Sequence, residues 1–399
     1  MLNLLPVYWQ NLQRLRRMAH QPLVQEGVVY HCPLNFHKRH NLALQQINKP
    51  LLATRELSLP HILHVGVTTA CNLRCPACPT GTKALGRPPR HLDYDLYTRI
   101  LGDLRGVLLL MLFWDWGEPF LHPRLADMIQ SARKSRIRTV ISTNGGVNNQ
   151  PQKIEALVRA QPDMVIVCVD GLTQAVYEKY RVGGRLEEVL RTVQRLVEAR
   201  EKLGSGYPVI EFRSLATRYN QPQMPGLMEL ARTLGADLFT VKSLRPYDFR
   251  GHDIEAEMVP LDPGLARYAE PGTWNRQPEQ KPPLACGKPL YAPTLNSDGQ
   301  LAFCSYAGYE EEIFGSPGNT TYRHLWRDAA NRSKRLEFLA DGGTRSCGNC
   351  FFRSEHKPTI LYMVPLRPLP EGLAPVHAQT PEQFLAAWSS RDQSLEPRE

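Results

Sequence analysis

The chain has 399 residues, 42% of them hydrophobic and 22% charged, with a net charge of +9. That length suffices to bury a sizeable core in two or three domains. No apolar run approaches the ~20 residues of a membrane span, and residues 1–13 carry no lysine or arginine ahead of their apolar residues, unlike a signal peptide. Cytoplasmic residence with reduced thiols is the expectation.

Residues 1–60 form a basic, helical N-terminal extension, with seven Lys/Arg against two Glu, a net +5. Leu5, Tyr8, Trp9, Leu12 and Leu15 share one helical face, with Pro6 in the first turn and Arg14, Arg16 and Arg17 beside it. Such a helix either rests on an anionic membrane surface through residues 1–20 or packs on the rest of the fold. No nucleic-acid-binding module is recognisable, so the charge is weak evidence for nucleic acid.

From 61 to 245, short apolar runs alternate with amphipathic segments. Strands are predicted over 62–67, 107–114, 139–142, 163–169, 208–216 and 237–243. Helices are predicted over 93–104, 123–135, 151–160, 173–180, 186–203 and 223–234. This order implies an α/β fold with a parallel sheet. Six βα units are too few for a closed eight-stranded barrel, so a partial (β/α)6 barrel is expected. Its reactive groups should lie at the C-terminal strand ends. Residues 246–285 read as a Pro-rich linker and 286–356 as a small C-terminal domain bearing four cysteines. Residues 357–399 read as a loosely ordered Pro-rich tail.

The nine cysteines are unevenly placed. Cys32 and Cys168 stand alone, and Cys168, in the run Met164-Val165-Ile166-Val167-Cys168-Val169, reads as a buried strand thiol. Cys71, Cys75 and Cys78 crowd a loop directly after the first strand. Their thiolates are soft ligands suited to iron–sulfur or zinc. Three ligands leave one iron of a four-iron cube open to a small molecule, whereas a zinc site needs a fourth ligand. Cys286, Cys304, Cys347 and Cys350 supply four thiolates, and on spacing alone zinc competes with a cluster there.

The C-x3-C-x2-C pattern after a first strand resembles the signature of the radical S-adenosylmethionine (radical SAM) enzymes. The likeness extends over roughly 60–245. Gly117-Glu118-Pro119, after Trp114-Asp115-Trp116, resembles the family's GGEP motif, with Trp116 in place of the first Gly. It implies that Gly117 and Glu118 hold the methionine amino group. Ser142-Thr143-Asn144-Gly145 resembles the ribose-contacting segment, giving roles to Ser142 and Asn144. Arg181 stands where family arginines pair with the methionine carboxylate. Ala77 departs from the aromatic residue often found before the third cysteine. C-x12-G-x4-C followed by C-x2-C resembles the opening of the family's SPASM extension, in its shortened Twitch-type form. That implies an auxiliary [4Fe–4S] cluster.

The layout is similar to radical dehydrogenases that oxidise an alcohol carbon of an aminocyclitol. The resemblance implies a radical SAM oxidoreductase that cleaves S-adenosylmethionine at a [4Fe–4S] cluster. It would abstract hydrogen from a small molecule, such as a sugar or cyclitol alcohol, and pass an electron to the auxiliary cluster. An external one-electron donor such as flavodoxin or ferredoxin is then required. Lys242 and Asp248 are the candidate catalytic pair after the sixth strand, with Arg245, Tyr247 and Asp115 as further candidates for a base. The alternatives are a maturase acting on a peptide or protein, and a non-enzymatic zinc or Fe–S protein.

Overall fold

The structure is a computed structural model that describes residues 4–52, 54–146, 150–244, 258–266, 286–307, 312–318, 320–347 and 359–391. Six parallel strands run in sequence order: β3 (Ile62–Val65), β4 (Leu110–Phe113), β5 (Arg138–Thr143), β6 (Met164–Cys168), β7 (Val209–Ala216) and β8 (Leu238–Ser243). They alternate with α3 (Tyr94–Leu104), α4 (Leu125–Lys134), α5 (Pro151–Arg159), α6 (Gln174–Tyr180), α7 (Leu186–Lys202) and α8 (Met224–Thr233). This is the mixed α/β architecture of a partial barrel around a central parallel sheet.

Strand side chains alternate between the two faces of a sheet, and here the two faces build two cores. Leu63, Val65, Met111, Phe113, Ile141, Val165, Val167, Ile210, Phe212, Phe239 and Val241 pack with the helices in one buried cluster. Their alternates Ile62, Leu110, Leu112, Val140, Met164, Ile166, Val209 and Leu238 belong to a second cluster, on the lumen side.

The N-terminal extension fills that second cluster. It comprises α1 (Leu5–Arg16), the hairpin β1 (His20–Gln25) and β2 (Val28–Pro33), and α2 (Phe36–Leu51). Leu12, Leu15, Val28, Tyr30 and Cys32 are buried among the lumen residues, and the Tyr30 hydroxyl donates to Met164 Sδ at 3.3 Å. Of the two fates considered for the first helix, it packs on the barrel through Leu12 and Leu15, while Leu5 and Trp9 stay exposed. Among the described residues no helix is long and apolar enough to cross a membrane.

The C-terminal segments clasp both edges of the sheet. On one side β9 (Thr294–Leu295) pairs parallel with β3, followed by β10 (Leu301–Ala302) and β11 (Ile313–Gly315). On the other, β12 (Ile360–Pro365) pairs antiparallel with β8. The tail expected to be loosely ordered is not so over residues 359–391. It holds β12, β13 (Leu373–Pro375), which pairs with β2, and a helix Pro381–Ser389 whose Phe384 is fully buried. Its prolines punctuate rather than disrupt: Pro365 and Pro375 end strands and Pro381 opens the helix, positions where a missing N–H costs little.

Candidate functional site

The loop after β3 is shaped by close backbone approaches. Gly81 crosses the backbone of Cys75 where a Cβ would overlap it, and Gly117 meets the Thr68 carbonyl in the same way. Glu118 N then donates to the Ala70 carbonyl at 2.9 Å, and the Thr80 hydroxyl donates to the Trp116 carbonyl. These contacts seat the cysteine loop against the end of β4.

Glu118 joins that loop to the next strand end. It is 2% exposed. Its carboxylate accepts from Thr143 Oγ1 at 2.7 Å, from Asn144 N at 2.7 Å and from Phe120 N at 3.0 Å. Burial raises its carboxyl above the ordinary value, against the pull of those donors. Asn144 Nδ2 in turn donates to Asn72 Oδ1 at 2.9 Å and lies 3.8 Å from Cys71 Sγ. At the end of β6, Asp170 accepts from Arg181 Nε at 2.5 Å and from Leu215 N at 2.6 Å.

These residues surround one cavity of about 260 Å³ at the C-terminal ends of the strands. Cys71, Cys75, Cys78, Gly117, Glu118, Ser142, Asn144, Arg181 and Lys242 all line it, so residues read from separate motifs converge. Burial pushes the thiols up, to about 11 for Cys71 and about 12 for Cys75, with Cys78 also raised. Three sulfurs on one cavity, with no His among its lining residues, fit a cluster with one open iron. Among the described residues no three His, Cys, Asp or Glu side chains converge tightly enough to hold a single metal ion.

The base candidates separate. Arg245, Tyr247 and Asp248 lie outside the described residues. Lys242 Nζ is 2.7 Å from Glu26 Oε2, at the turn of the N-terminal hairpin. The same carboxylate oxygen accepts from Arg213 at 2.7 Å, and Arg213 Nε reaches Glu211 at 2.6 Å. Lys242 is thereby committed to an ion pair with Glu26, which counts against it as the base. Asp115 also lines the cavity, and burial pushes its carboxyl up to about 7 despite Arg87 nearby.

Several lining residues had no role in the sequence reading. Cys168, expected to be a buried strand thiol, lines the cavity with its Sγ 3.9 Å from Ser142 Oγ. Its place as the last residue of β6 was the available signal. Tyr306, which also lines the cavity, and Glu26, which pairs with the lining residue Lys242, come from segments remote in sequence, and no local pattern marks them.

The second group of cysteines lies nearby. Cys286, Cys304 and Cys347 line one small cavity with Lys288, Tyr306 and Glu312, while Cys350 lies outside the described residues. Lys288 N donates to Cys286 Sγ and Tyr306 N to Cys304 Sγ, each at 3.4 Å. Thr344 Oγ1 is 3.4 Å from Cys347 Sγ. Glu312 fixes the last loop by accepting from Thr344 Oγ1, Ser346 N and Ser346 Oγ. Backbone donors aimed at sulfurs fit a cluster site. Tyr306 lines this cavity and the first, and meets Trp116 edge to face at 6.4 Å.

The Radical SAM superfamily description matches residues 65–214. The chain is 29% identical over 339 residues to the tungsten-containing aldehyde ferredoxin oxidoreductase cofactor-modifying protein of Pyrococcus furiosus, covering 73% of this chain and 94% of that one. It is 28% identical over 313 residues to the mycofactocin maturase MftC of Mycobacterium tuberculosis, covering 74% and 77%. Among solved structures, Streptococcus suis SuiB bound to S-adenosylmethionine matches with a TM-score of 0.53 at 14% identity, over 76% of this chain and 73% of that one. This last likeness shows the fold.

Proposed function

We propose that this chain, whose residues 65–214 match the Radical SAM superfamily, is a radical SAM oxidoreductase that removes a hydrogen atom from a small-molecule alcohol, such as a sugar or cyclitol. When bound, the [4Fe–4S] cluster supplies the electron that splits S-adenosylmethionine into methionine and the 5′-deoxyadenosyl radical that abstracts hydrogen. One observation carries the reading: the three loop cysteines, Glu118, Ser142, Asn144 and Arg181 line a single cavity.

Each of these residues has a proposed task. Cys71, Cys75 and Cys78 hold the cluster. Gly117 and Glu118 orient the methionine amino group, and Arg181, steadied by Asp170, pairs with its carboxylate. Ser142 and Asn144 contact the ribose. Asp115 is the better placed proton acceptor, with Lys242 as a fixed positive charge. Cys286, Cys304, Cys347 and Cys350 hold an auxiliary [4Fe–4S] cluster that takes the second electron. The reductant is an external one-electron carrier.

A second reading has its own support, because two relatives are named for cofactor modification and maturation. There the substrate is a peptide or a cofactor precursor. One experiment tests the shared core. Anaerobically reconstituted protein, given dithionite and S-adenosylmethionine, should form 5′-deoxyadenosine and methionine in equal amounts. No 5′-deoxyadenosine from protein with verified clusters rules out both readings. A mass loss of two in a small alcohol favours the first, and the same loss in a peptide favours the second.

A further inference from the structure

One side of α1 packs on the barrel and the other is left uncovered. Leu12 and Leu15 are buried, while Leu5 is 50% and Trp9 49% exposed. Helical residues four and seven apart lie on one stripe, so Leu5, Trp9 and Arg16 share it, with Arg14 and Arg17 further round on the solvent side. α2 extends this surface with a second exposed ring, Phe36. Phe36 stacks on His40 at 6.2 Å, His40 meets Tyr8 edge to face at 5.7 Å, and Tyr8 meets Trp9 at 5.3 Å. The Tyr8 hydroxyl and His40 Nδ1 are 2.6 Å apart, and Arg39 donates to the Leu15 and Met18 carbonyls, so the two helices are pinned together beneath the patch.

The charge on this surface has one sign. Residues 1–60 contain two acids, and both are engaged: Glu26 by Lys242 and Arg213, and the buried Glu56 by Arg335. Lys38 is turned inward, onto the Arg136 carbonyl. The charges exposed on and just after α1 are those of Arg14, Arg16 and Arg17. The patch also has a defined place in the fold. Leu12 and Leu15 pack among Ile62, Leu110, Met164, Val209 and Leu238, the first residues of β3, β4, β6, β7 and β8. It therefore lies at the N-terminal ends of the strands, while the cysteine-lined cavity lies at their C-terminal ends. A one-electron donor docked here would sit at the wrong end of the sheet from the cysteines, which counts against an acidic redox protein as the occupant.

We propose that this face of α1 and α2 docks the protein peripherally on an anionic lipid bilayer. Leu5 and the rings of Trp9 and Phe36 enter the interface, where aromatic side chains are favoured, and the arginines meet the headgroup phosphates. The strength of such binding is set by the apolar area buried together with the attraction of the cations to anionic lipid. The end of the sheet that carries the cysteine cavity stays clear of the bilayer. The inference goes beyond the enzymatic reading and does not depend on it.

Co-sedimentation of the reconstituted full chain with lipid vesicles tests this. The protein should pellet with vesicles of phosphatidylglycerol and phosphatidylcholine in equal parts and stay in solution with phosphatidylcholine alone. Its tryptophan emission should shift to the blue on binding. Arg16→Gln should weaken binding about fivefold, the contribution of one arginine near such a surface. Trp9→Ala should weaken it about tenfold and remove the blue shift. Salt at ~1 M, where the screening length falls to about 3 Å, should release the wild-type protein in large part. Both substituted side chains are exposed, so both variants should keep the wild-type melting temperature. No pelleting with the anionic vesicles, equal pelleting with the two compositions, or binding unchanged by Trp9→Ala each overturns the proposal. Self-association that Trp9→Ala abolishes, in protein that ignores the vesicles, overturns it in favour of a second copy of this chain as the occupant.

Discussion

Lys242 Nζ lies 2.7 Å from Glu26 Oε2, so the last strand of the half-barrel is tied to the turn of a hairpin 216 residues earlier. Arg213 shares the same carboxylate. The two cations hold Glu26 well below the usual carboxylate range, although burial alone would raise it. Replacing Glu26 by Gln leaves two mostly buried cations without their shared anion and should cost about 3 kcal/mol. The sign of the pH dependence follows. A depressed folded-state pKa gives stability that is in place above the ordinary glutamate value and is lost as pH falls below it. Melting temperatures from pH 7 down to pH 3 should therefore fall more steeply for the wild-type protein than for Glu26→Gln. Parallel curves would show that the ion pair adds nothing.

Glu118 accepts three hydrogen bonds from two strand ends. Glu118→Gln keeps the shape but turns one acceptor into a donor, and that amide then faces an N–H or hydroxyl. A clash of donors at a buried site costs about 1–3 kcal/mol. Because Asn144 is one of the partners, the loss should reach the cavity. S-adenosylmethionine should bind the reconstituted variant about tenfold more weakly, with a lower melting temperature. Unchanged affinity by calorimetry would restrict Glu118 to a structural role.

The two cysteine groups line separate cavities, and their iron should be separable. Wild-type protein reconstituted without air should carry about eight irons per chain, and Cys75→Ala and Cys304→Ala about four each. Only Cys75→Ala should lose the spectroscopic change that S-adenosylmethionine causes in the reduced protein. Zinc in place of four of the irons, measured by plasma emission on protein purified without air, would refute an auxiliary cluster.

The six parallel strands and their helices were legible because hydrophobic periodicity is local, and each βα unit carries its own. The three loop cysteines were legible for the same reason. The hairpin of residues 20–33 was not, since the burial of Val28, Tyr30 and Cys32 depends on a lumen made by other strands. Lys242 lines the cavity, but its partner Glu26 is set by tertiary structure and no local pattern in the sequence marks the pair. The tail misled because proline content was read as disorder without regard to position. Asp248 and Cys350 lie outside the described residues.

Asp115 offers the last test. It lines the cysteine cavity, and burial raises its carboxyl to about 7, with Arg87 opposing in part. A raised carboxyl acts opposite to Glu26. Ionisation favours the unfolded chain, so its penalty grows as pH rises from the ordinary aspartate range to about 7 and then levels off. Asp115→Asn removes that penalty. Its melting temperature should exceed that of the wild-type protein by more at pH 8 than at pH 5. The same substitution removes the proposed proton acceptor. In the reconstituted enzyme, 5′-deoxyadenosine should still form while oxidised product falls by at least about a hundredfold. Stability that rises as described with product formation intact would leave Asp115 a buried carboxyl and move the search for the base to the cavity's other polar residues.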